Sequence, residues 1–181
     1  MLARRKDVPL LAHIELSAAR LLAGHAPDSV LAETSSEEEL ESARQLGRLW
    51  VALAGDAPVG FARVDVRESG AAHLEEIDVL PEHGRRGLGT RLVATVCSWA
   101  ATEGYDAVTL TTFRDVRWNM PFYASLGFEV IPRHELSPSL LSVVRAETRR
   151  GLDPFRRVAM RRRCDVAVNH PGPVRRDRPV E

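Results

Sequence analysis

Apolar positions recur along this chain at two different spacings, which predict alternating helices and strands. Between Asp7 and Gly24 the apolar residues lie near every third or fourth position, a spacing typical of a helix. Ser35 or Ser36 then precedes an acidic stretch that ends near Leu46, and a serine in that place favours the start of a second helix. The chain is therefore predicted to open with two helices.

The rest of the chain is predicted to alternate between strands and helices. Residues 55–58, Gly-Asp-Ala-Pro, suit a tight turn between two strands, and Gly127 follows a short helix that Asn119 can cap. The predicted strands are 49–54, 59–66, 72–80, 107–112, 128–131 and 156–160, and the later helices are 88–104, 120–126 and 138–150.

A turn rich in glycine and arginine, residues 79–92, joins a predicted strand to a predicted helix. The start of a helix leaves backbone N–H groups without partners and carries a partial positive charge, so it favours an anion. Gly84, Gly87 and Gly89 remove the Cβ atoms that would keep an anion away from this backbone. The segment is therefore predicted to be a phosphate-binding turn.

The glycine spacing argues against two better-known phosphate loops. A Walker loop ends in Gly-Lys-Ser/Thr, whereas this turn ends in Gly89-Thr90-Arg91. A dinucleotide fingerprint reads G-x-G-x-x-G after the first strand of a βαβ unit, whereas these glycines read G-x-x-G-x-G.

With its flanks, the turn resembles the cofactor motif of the GNAT superfamily of N-acetyltransferases, V-x-P-x-x-[QR]-x-x-G-x-[GA]. The Gln or Arg of that motif is Gly84 here, and the glycine that often follows it is Arg85, so the two residue types are exchanged. The matching residues are Val79, Pro81, Gly87 and Gly89.

A second block, residues 118–128, resembles the x-F-Y-x-x-x-G-F ending of the same superfamily through Phe122, Tyr123, Gly127 and Phe128. The two motifs occur in the expected order and separation, and the resemblance covers about residues 35 to 132. It implies an α/β (α+β) fold with a mixed, mostly antiparallel twisted sheet of about six to seven strands, flanked by helices. It also implies that two splayed strands bind the acyl-CoA.

The resemblance implies acetyl-CoA as cosubstrate and no metal. The pyrophosphate would be held by backbone amides of about residues 86 to 90, and the strand before the turn would bind the pantetheine arm. The residues assigned to cofactor binding in this way are Ile77, Val79, Gly84, Arg85, Arg86, Gly87, Leu88, Gly89, Thr90 and Asn119.

Four residues are candidates for catalysis. Tyr123 occupies the position of the usual general acid, which would protonate the departing thiolate, although it could also be a packed aromatic. His73, Glu75 and Glu76 are alternative bases, with a water relay as a further route. Alternation along a strand puts His73 and Glu75 on one face and Glu76 on the other, unless a bulge shifts the phase.

Composition narrows the functional classes. The chain has 181 residues, 25 Lys and Arg, 25 Asp and Glu, and two cysteines, so it carries no formal net charge. Neutrality gives no support to binding nucleic acid or a membrane, and the few cysteines are typical of a reducing compartment. We expect a cytoplasmic protein, monomeric or homodimeric, with a single domain at 1–164 and a disordered tail at 165–181.

The sequence therefore predicts an acetyl-CoA-dependent N-acetyltransferase whose acceptor is a primary amine of a small molecule, attacked directly. A protein lysine or N-terminal amine is the alternative acceptor. A non-catalytic acyl-CoA-binding module is the alternative from another functional class.

Overall fold

The computed structural model describes residues 1–68 and 70–164, which form a sheet with helices packed on both faces. The strands are β1 (Leu49–Ala54), β2 (Ala57–Glu68), β3 (Ala71–Val79), β4 (Ala107–Phe113), β5 (Glu129–Val130) and β6 (Arg157–Arg163). The helices are α1 (Val8–Ala19), α2 (Asp28–Leu31), α3 (Glu37–Gln45), α4 (Leu88–Thr102), α5 (Met120–Ser125) and α6 (Pro138–Arg149).

The strand order is β1-β2-β3-β4-β6-β5, and every neighbouring pair except β3 and β4 is antiparallel. This confirms the predicted mixed, mostly antiparallel sheet. The parallel pair is joined only from Ala71 to His73 on β3 and from Ala107 to Thr109 on β4. Beyond His73 and Thr109 the two strands diverge and leave a gap in the middle of the sheet.

The sheet buries a separate apolar cluster on each face, because successive residues of a strand point to opposite sides. On β1, Trp50 packs in the cluster that contains α4, whereas Leu49 and Val51 pack with α1 and α3. The face that carries α4 and the face that carries α1 are named below after those helices.

A β-bulge in β3 interrupts this alternation. Arg63 of β2 lies opposite Glu76, and the next residue, Val64, lies opposite Leu74, so Glu75 is an extra residue. The apolar residues of β3 accordingly change phase, since the members of the α4 cluster are Ala72, Leu74, Ile77 and Val79.

The predicted elements agree with the structure to within a few residues at most of their ends, but the first helix, predicted to run to Gly24, ends at Ala19 and is followed by a single 3-10 turn at Arg20–Leu22. Ser36 caps α3 through a capping box with Glu39, as its position predicts. Asn119 precedes α5, but its side chain makes no capping hydrogen bond, so the predicted cap is wrong. Helix α2 was not predicted, because four residues are too few to show a helical period.

The prediction of a disordered tail at 165–181 falls outside the described residues. Among those that the structure does describe, no helix is long and apolar enough to cross a membrane.

Candidate active site at the gap between β3 and β4

The phosphate-binding turn ends in a helix start with free amides. Gly87 precedes α4 with a φ of 75°, a left-handed conformation that side chains disfavour. The first backbone bond of α4 runs from the N–H of Arg91 to the carbonyl of Gly87 at 3.0 Å. The N–H groups of Leu88, Gly89 and Thr90 therefore have no acceptor within the helix and can bind an anion.

The backbone conformations at positions 84 and 85 do not follow the exchange of residue types there. Gly84 has an ordinary φ of −63°, whereas Arg85 has a φ of 56°, the left-handed region that glycine usually occupies. The turn thus keeps a left-handed residue at 85 without a glycine there. The side chains of Arg85 and Arg86 are exposed beside the free amides, where they can add positive charge.

The carboxylates of β3 lie on the α1 face next to the gap. Arg63, Glu75 and Glu76 belong to this face, because Ala62 and Val64 on either side of Arg63 pack in the α4 cluster. The bulge therefore brings Glu76 to the face that strict alternation would have denied it. The structure places Glu75 and Glu76 together, as the sequence analysis allowed only with a bulge.

Glu75 is held by two arginines. Its carboxylate oxygens lie 3.1 Å from the Arg63 guanidinium and 3.0 Å from that of Arg67. Both oxygens of the Glu75 carboxylate are therefore engaged by guanidinium groups.

Glu76 has a different environment from Glu75. Burial raises the pKa of Glu76, and the negative charge of Glu15 on α1 raises it further. Burial and the charge of Glu76 raise the pKa of Asp78, which lies two residues further along β3. Glu76 and Asp78 thus form a half-buried carboxyl pair that favours a bound proton near neutral pH.

His73 is buried in the closed part of the sheet. Its Nδ1 lies 3.0 Å from the hydroxyl oxygen of Thr109 on β4, at the last paired position before the strands diverge. Burial lowers the pKa of His73 to about 4, so the ring is neutral near pH 7. His73 therefore joins the two strands at the start of the gap, and the structure does not bring it beside Glu76.

Tyr123 lies on α5 and packs against the α4 cluster, near enough to Glu76 and Asp78 for their charges to act on its hydroxyl. Burial raises the pKa of its hydroxyl, and the charges of Glu76 and Asp78 raise it further, so the phenol keeps its proton. Its ring packs against Phe122 and Phe128, with centroids 5.1 and 5.8 Å away. A Cβ added at Gly89 would lie 3.5 Å from Phe122, so α5 rests directly on the start of α4.

Trp118 and Asn119 flank this arrangement. Trp118 is 51% exposed, and its ring meets His25 edge-on at 6.2 Å. Asn119 accepts a backbone bond from Tyr123 at 3.1 Å, and its side chain does not cap the helix. Within the described residues, no group of three or more His, Cys, Asp or Glu side chains could hold a metal ion.

Sequence analysis missed Asp78 and Glu15 as members of this site. Glu15 comes from α1, where its carboxylate accepts the backbone N–H of Ser35 at 2.9 Å. Asp78 follows Glu76 by two residues, so an i, i+2 pair of acids was visible in the sequence. This spacing alone does not tell which face of the sheet Glu76 and Asp78 occupy. The bulge at Glu75 determines that face.

Comparison with known proteins agrees with this geometry. The family model of the GNAT acetyltransferases matches residues 17–128. Over 122 residues the chain is 30% identical to aminoglycoside N(6')-acetyltransferase type 1 of Salmonella typhimurium, covering 63% of this chain and 81% of that protein.

Solved structures with the same fold have lower sequence identity. A PaiA N-acetyltransferase of Thermoplasma acidophilum in complex with coenzyme A is 16% identical, with a TM-score of 0.70 over 90% of this chain and 96% of that one. An N-acetylglutamate synthase of Neisseria gonorrhoeae, complexed with coenzyme A and N-acetyl-glutamate, is 19% identical with a TM-score of 0.68. This chain aligns over 91% of its own length but spans about a third of that synthase, 34%.

The family match covers more than half of the 181 residues and includes the turn, the gap and Tyr123. The chain belongs to the GNAT family of acetyltransferases, and acetyl-CoA is its cosubstrate.

Proposed function

We propose that this acetyltransferase transfers the acetyl group of acetyl-CoA to a primary amine of a small cationic molecule, by direct attack without a covalent enzyme intermediate. The observation that carries the proposal is the half-buried carboxyl pair, Glu76 and Asp78, facing a protonated Tyr123 at the gap between β3 and β4. A proton acceptor and a proton donor thus lie on the two sides of one opening.

The turn and the gap fit coenzyme A in two respects. The free amides of Leu88, Gly89 and Thr90 begin a helix of 15 residues, which suits a pyrophosphate group. The diverging strands expose backbone of β3 around Ile77 and Val79, where an extended pantetheine arm can hydrogen-bond. Arg85 and Arg86 add charge for the phosphates.

Glu76 is the base among the three candidates. Glu75 is held by two arginines and His73 by Thr109, whereas Glu76 lies at the gap with a raised pKa. A carboxylate with a raised pKa accepts a proton from an ammonium group more readily than an ordinary glutamate does.

The proton transfers balance across the reaction. Glu76 removes a proton from the ammonium group, and the free amine nitrogen attacks the thioester carbon to form the C–N bond. The C–S bond then breaks, the departing thiolate takes a proton from Tyr123, and the nitrogen loses its second proton to become an amide. Tyr123 recovers its proton from this nitrogen directly or through water, and Glu76 releases to solvent the proton that it took from the ammonium group.

A cationic acceptor follows from the charge at the site. Glu15, Glu76 and Asp78 come from two elements, and together they favour a positively charged group entering from the α1 face. The Salmonella typhimurium relative, named as an aminoglycoside N(6')-acetyltransferase, takes an acceptor of this kind. An aminoglycoside or a polyamine therefore ranks ahead of an amino acid, which carries its own carboxylate.

The test is thiol release from acetyl-CoA by the purified protein with polyamines, aminoglycosides, amino acids and short peptides. We expect turnover with a cationic small amine, reduced about 100-fold in kcat by Tyr123→Phe if the phenol donates its proton. Tyr105→Phe is the matched control, because Tyr105 packs against Trp99, with ring centroids 5.4 Å apart, and lies outside both sequence motifs. Turnover confined to peptides would overturn the small-molecule acceptor, and acetyl-CoA binding without any turnover would favour a binding module.

A further inference from the structure

The carboxyl of Asp78 has no role in the reaction as described so far, although it lies beside the proposed base. We propose that Asp78 is a positioning residue that shares a proton with Glu76, so that the two carboxyls act as one unit when the acceptor amine is deprotonated. This inference rests on the proposed function of Glu76 as the base. It assigns to Asp78 a role that neither motif of the sequence indicates.

The backbone fixes the two side chains on the same face. Phe61 and Arg63 of β2 lie opposite Asp78 and Glu76, after the bulge at Glu75. Phe61 is completely buried, so this part of β2 cannot rotate without exposing core. Gly60 brings β2 close to β3, since a Cβ added there would lie 2.7 Å from the carbonyl oxygen of Asp78.

A proton between the carboxyls explains an otherwise unsatisfied atom. Oδ2 of Asp78 is buried and has no hydrogen-bond donor in the described part of the chain when both acids are ionised. Burying a charged oxygen without a donor is costly. Glu76 and Asp78 lie two residues apart on one face of β3, where their negative charges repel each other, and two ionised carboxylates have no proton to share. One retained proton turns this repulsive contact into a hydrogen bond.

Charged groups from each neighbouring element act on the pair. Glu15 of α1 and Glu75 of β3 raise the pKa of Glu76 by repulsion, and Arg63 of β2 lowers it by attraction. Arg63 is itself bound to Glu75 through its Nη1, so much of its charge is compensated. Tyr123 of α5 faces the pair as a neutral phenol, since its pKa is raised. The balance of these groups favours a single shared proton.

The shared proton determines the pH range of the enzyme. The pair is ready to accept the substrate's proton only after its own shared proton has been lost. Asp78 therefore moves the acidic limb of the activity profile toward neutral pH. In Asp78→Asn the amide donates a hydrogen bond to an ionised Glu76, which lowers the pKa of Glu76.

The first experiment measures kcat/KM against pH for the full chain and for Asp78→Asn, with the cationic amine that gives turnover. We expect the acidic limb of Asp78→Asn to move at least one pH unit lower, while activity on the plateau falls less than in Glu76→Gln. A purely structural role would lower activity at every pH and leave the limb in place. Asp65→Asn is the matched control, because Asp65 lies on β2 and pairs with the Arg67 guanidinium at 2.7 Å.

The second experiment does not depend on turnover or on a variant that folds. Side-chain carboxyl carbons of the ¹³C-labelled wild-type protein are followed by NMR as pH changes. We expect the carbons of Glu76 and Asp78 to titrate together over a broad range that extends above the ordinary carboxyl range. Independent titration of both residues near pH 4 would overturn the inference.

The outcomes separate the two proposals. Coupled titration without any turnover would leave the carboxyl pair in place and overturn the proposed function. Turnover with an unmoved acidic limb in Asp78→Asn would keep the function and overturn the role of Asp78.

Discussion

Two acidic side chains, one on a strand and one on a helix, differ in how their carboxylates are satisfied. Glu147 of α6 is buried, and its Oε1 accepts bonds from the Arg157 guanidinium at 2.6 Å and from the Thr111 hydroxyl at 2.5 Å. Asp78 of β3 keeps a buried oxygen with no donor among the described residues and faces another acid. The first arrangement stabilises the fold, whereas the second raises the proton affinity of the site.

The difference shows how the same side-chain chemistry serves two purposes. The carboxylate of Glu147 is held in place by a guanidinium and a hydroxyl, which both donate to it. An acid matched by another acid is less stable in its charged form and is therefore ready to take a proton.

Removing the proposed base should give the largest effect. Glu76→Gln cannot accept a proton, so we expect kcat/KM to fall by about 10² to 10⁴. The thermal midpoint should stay the same or rise, because the amide of the glutamine can donate a hydrogen bond to Asp78 in place of the shared proton. Steady-state kinetics and thermal unfolding check both expectations. Glu75→Gln should be the milder variant, and the reverse ranking would identify Glu75 as the base.

Removing the carboxylate of Glu147, which Arg157 and Thr111 bind, should lower the stability of the fold. Glu147→Ala leaves the charge of Arg157 buried without its partner, so we expect the free energy of unfolding to fall by about 3 to 5 kcal/mol. Denaturant unfolding measures this loss. The double variant Glu147→Met, Arg157→Leu should recover most of it, because apolar packing replaces the pair. A double variant as unstable as Glu147→Ala would contradict the account of Glu147.

Changing the distance between β2 and β3 should have a smaller effect. Gly60→Ala puts a Cβ against the carbonyl oxygen of Asp78, and relieving this clash should cost about 1 to 3 kcal/mol of stability. The backbone of β3 must move at Asp78, so the acidic limb of activity should move as well. Gly55→Ala is the control for loss of glycine, because nothing lies within 4 Å of a Cβ there, although its φ of 62° adds a strain of its own. If Gly60→Ala loses stability but the acidic limb of its activity profile stays in place, the distance between β2 and β3 does not influence the carboxyl pair.

The pH dependence of stability should show the smallest effect. The pKa of Asp78 is raised in the folded state, so its contribution is present at low pH and is lost as pH rises through that raised value. The stability of the wild-type protein relative to Asp78→Asn should therefore fall by about 1 kcal/mol or more between pH 5 and pH 8. Denaturant midpoints at several pH values measure the difference. A difference that grows with pH would contradict the raised pKa.

The parts of the molecule that depend on local pattern could be predicted from sequence. The cap of α3 by Ser36 and the start of α4 directly after the glycine-rich turn both follow from short-range chemistry. The carboxyl pair could not be predicted in the same way. It depends on one extra residue at Glu75, and a bulge is determined by pairing with β2 rather than by β3 alone.

Long-range contacts were equally hidden from the sequence. Arg156 of the loop before β6 reaches the backbone carbonyl of His25 at 3.1 Å, across 131 residues. The composition of either segment gives no sign of the other. The acceptor class is unpredictable for a related reason, because it depends on the shape formed by several separate segments rather than on any one motif.

The position of β6 in the sheet has a consequence for how the chain folds. Strand β6 (Arg157–Arg163) pairs with both β4 and β5. The last described strand along the chain therefore lies inside the sheet and not at its edge. On the ribosome, β5 has no strand partner until residues beyond 157 have emerged, although the catalytic motifs were synthesised long before. Pairings of such high sequence separation slow folding, so this half of the sheet can close only after β6 has been synthesised.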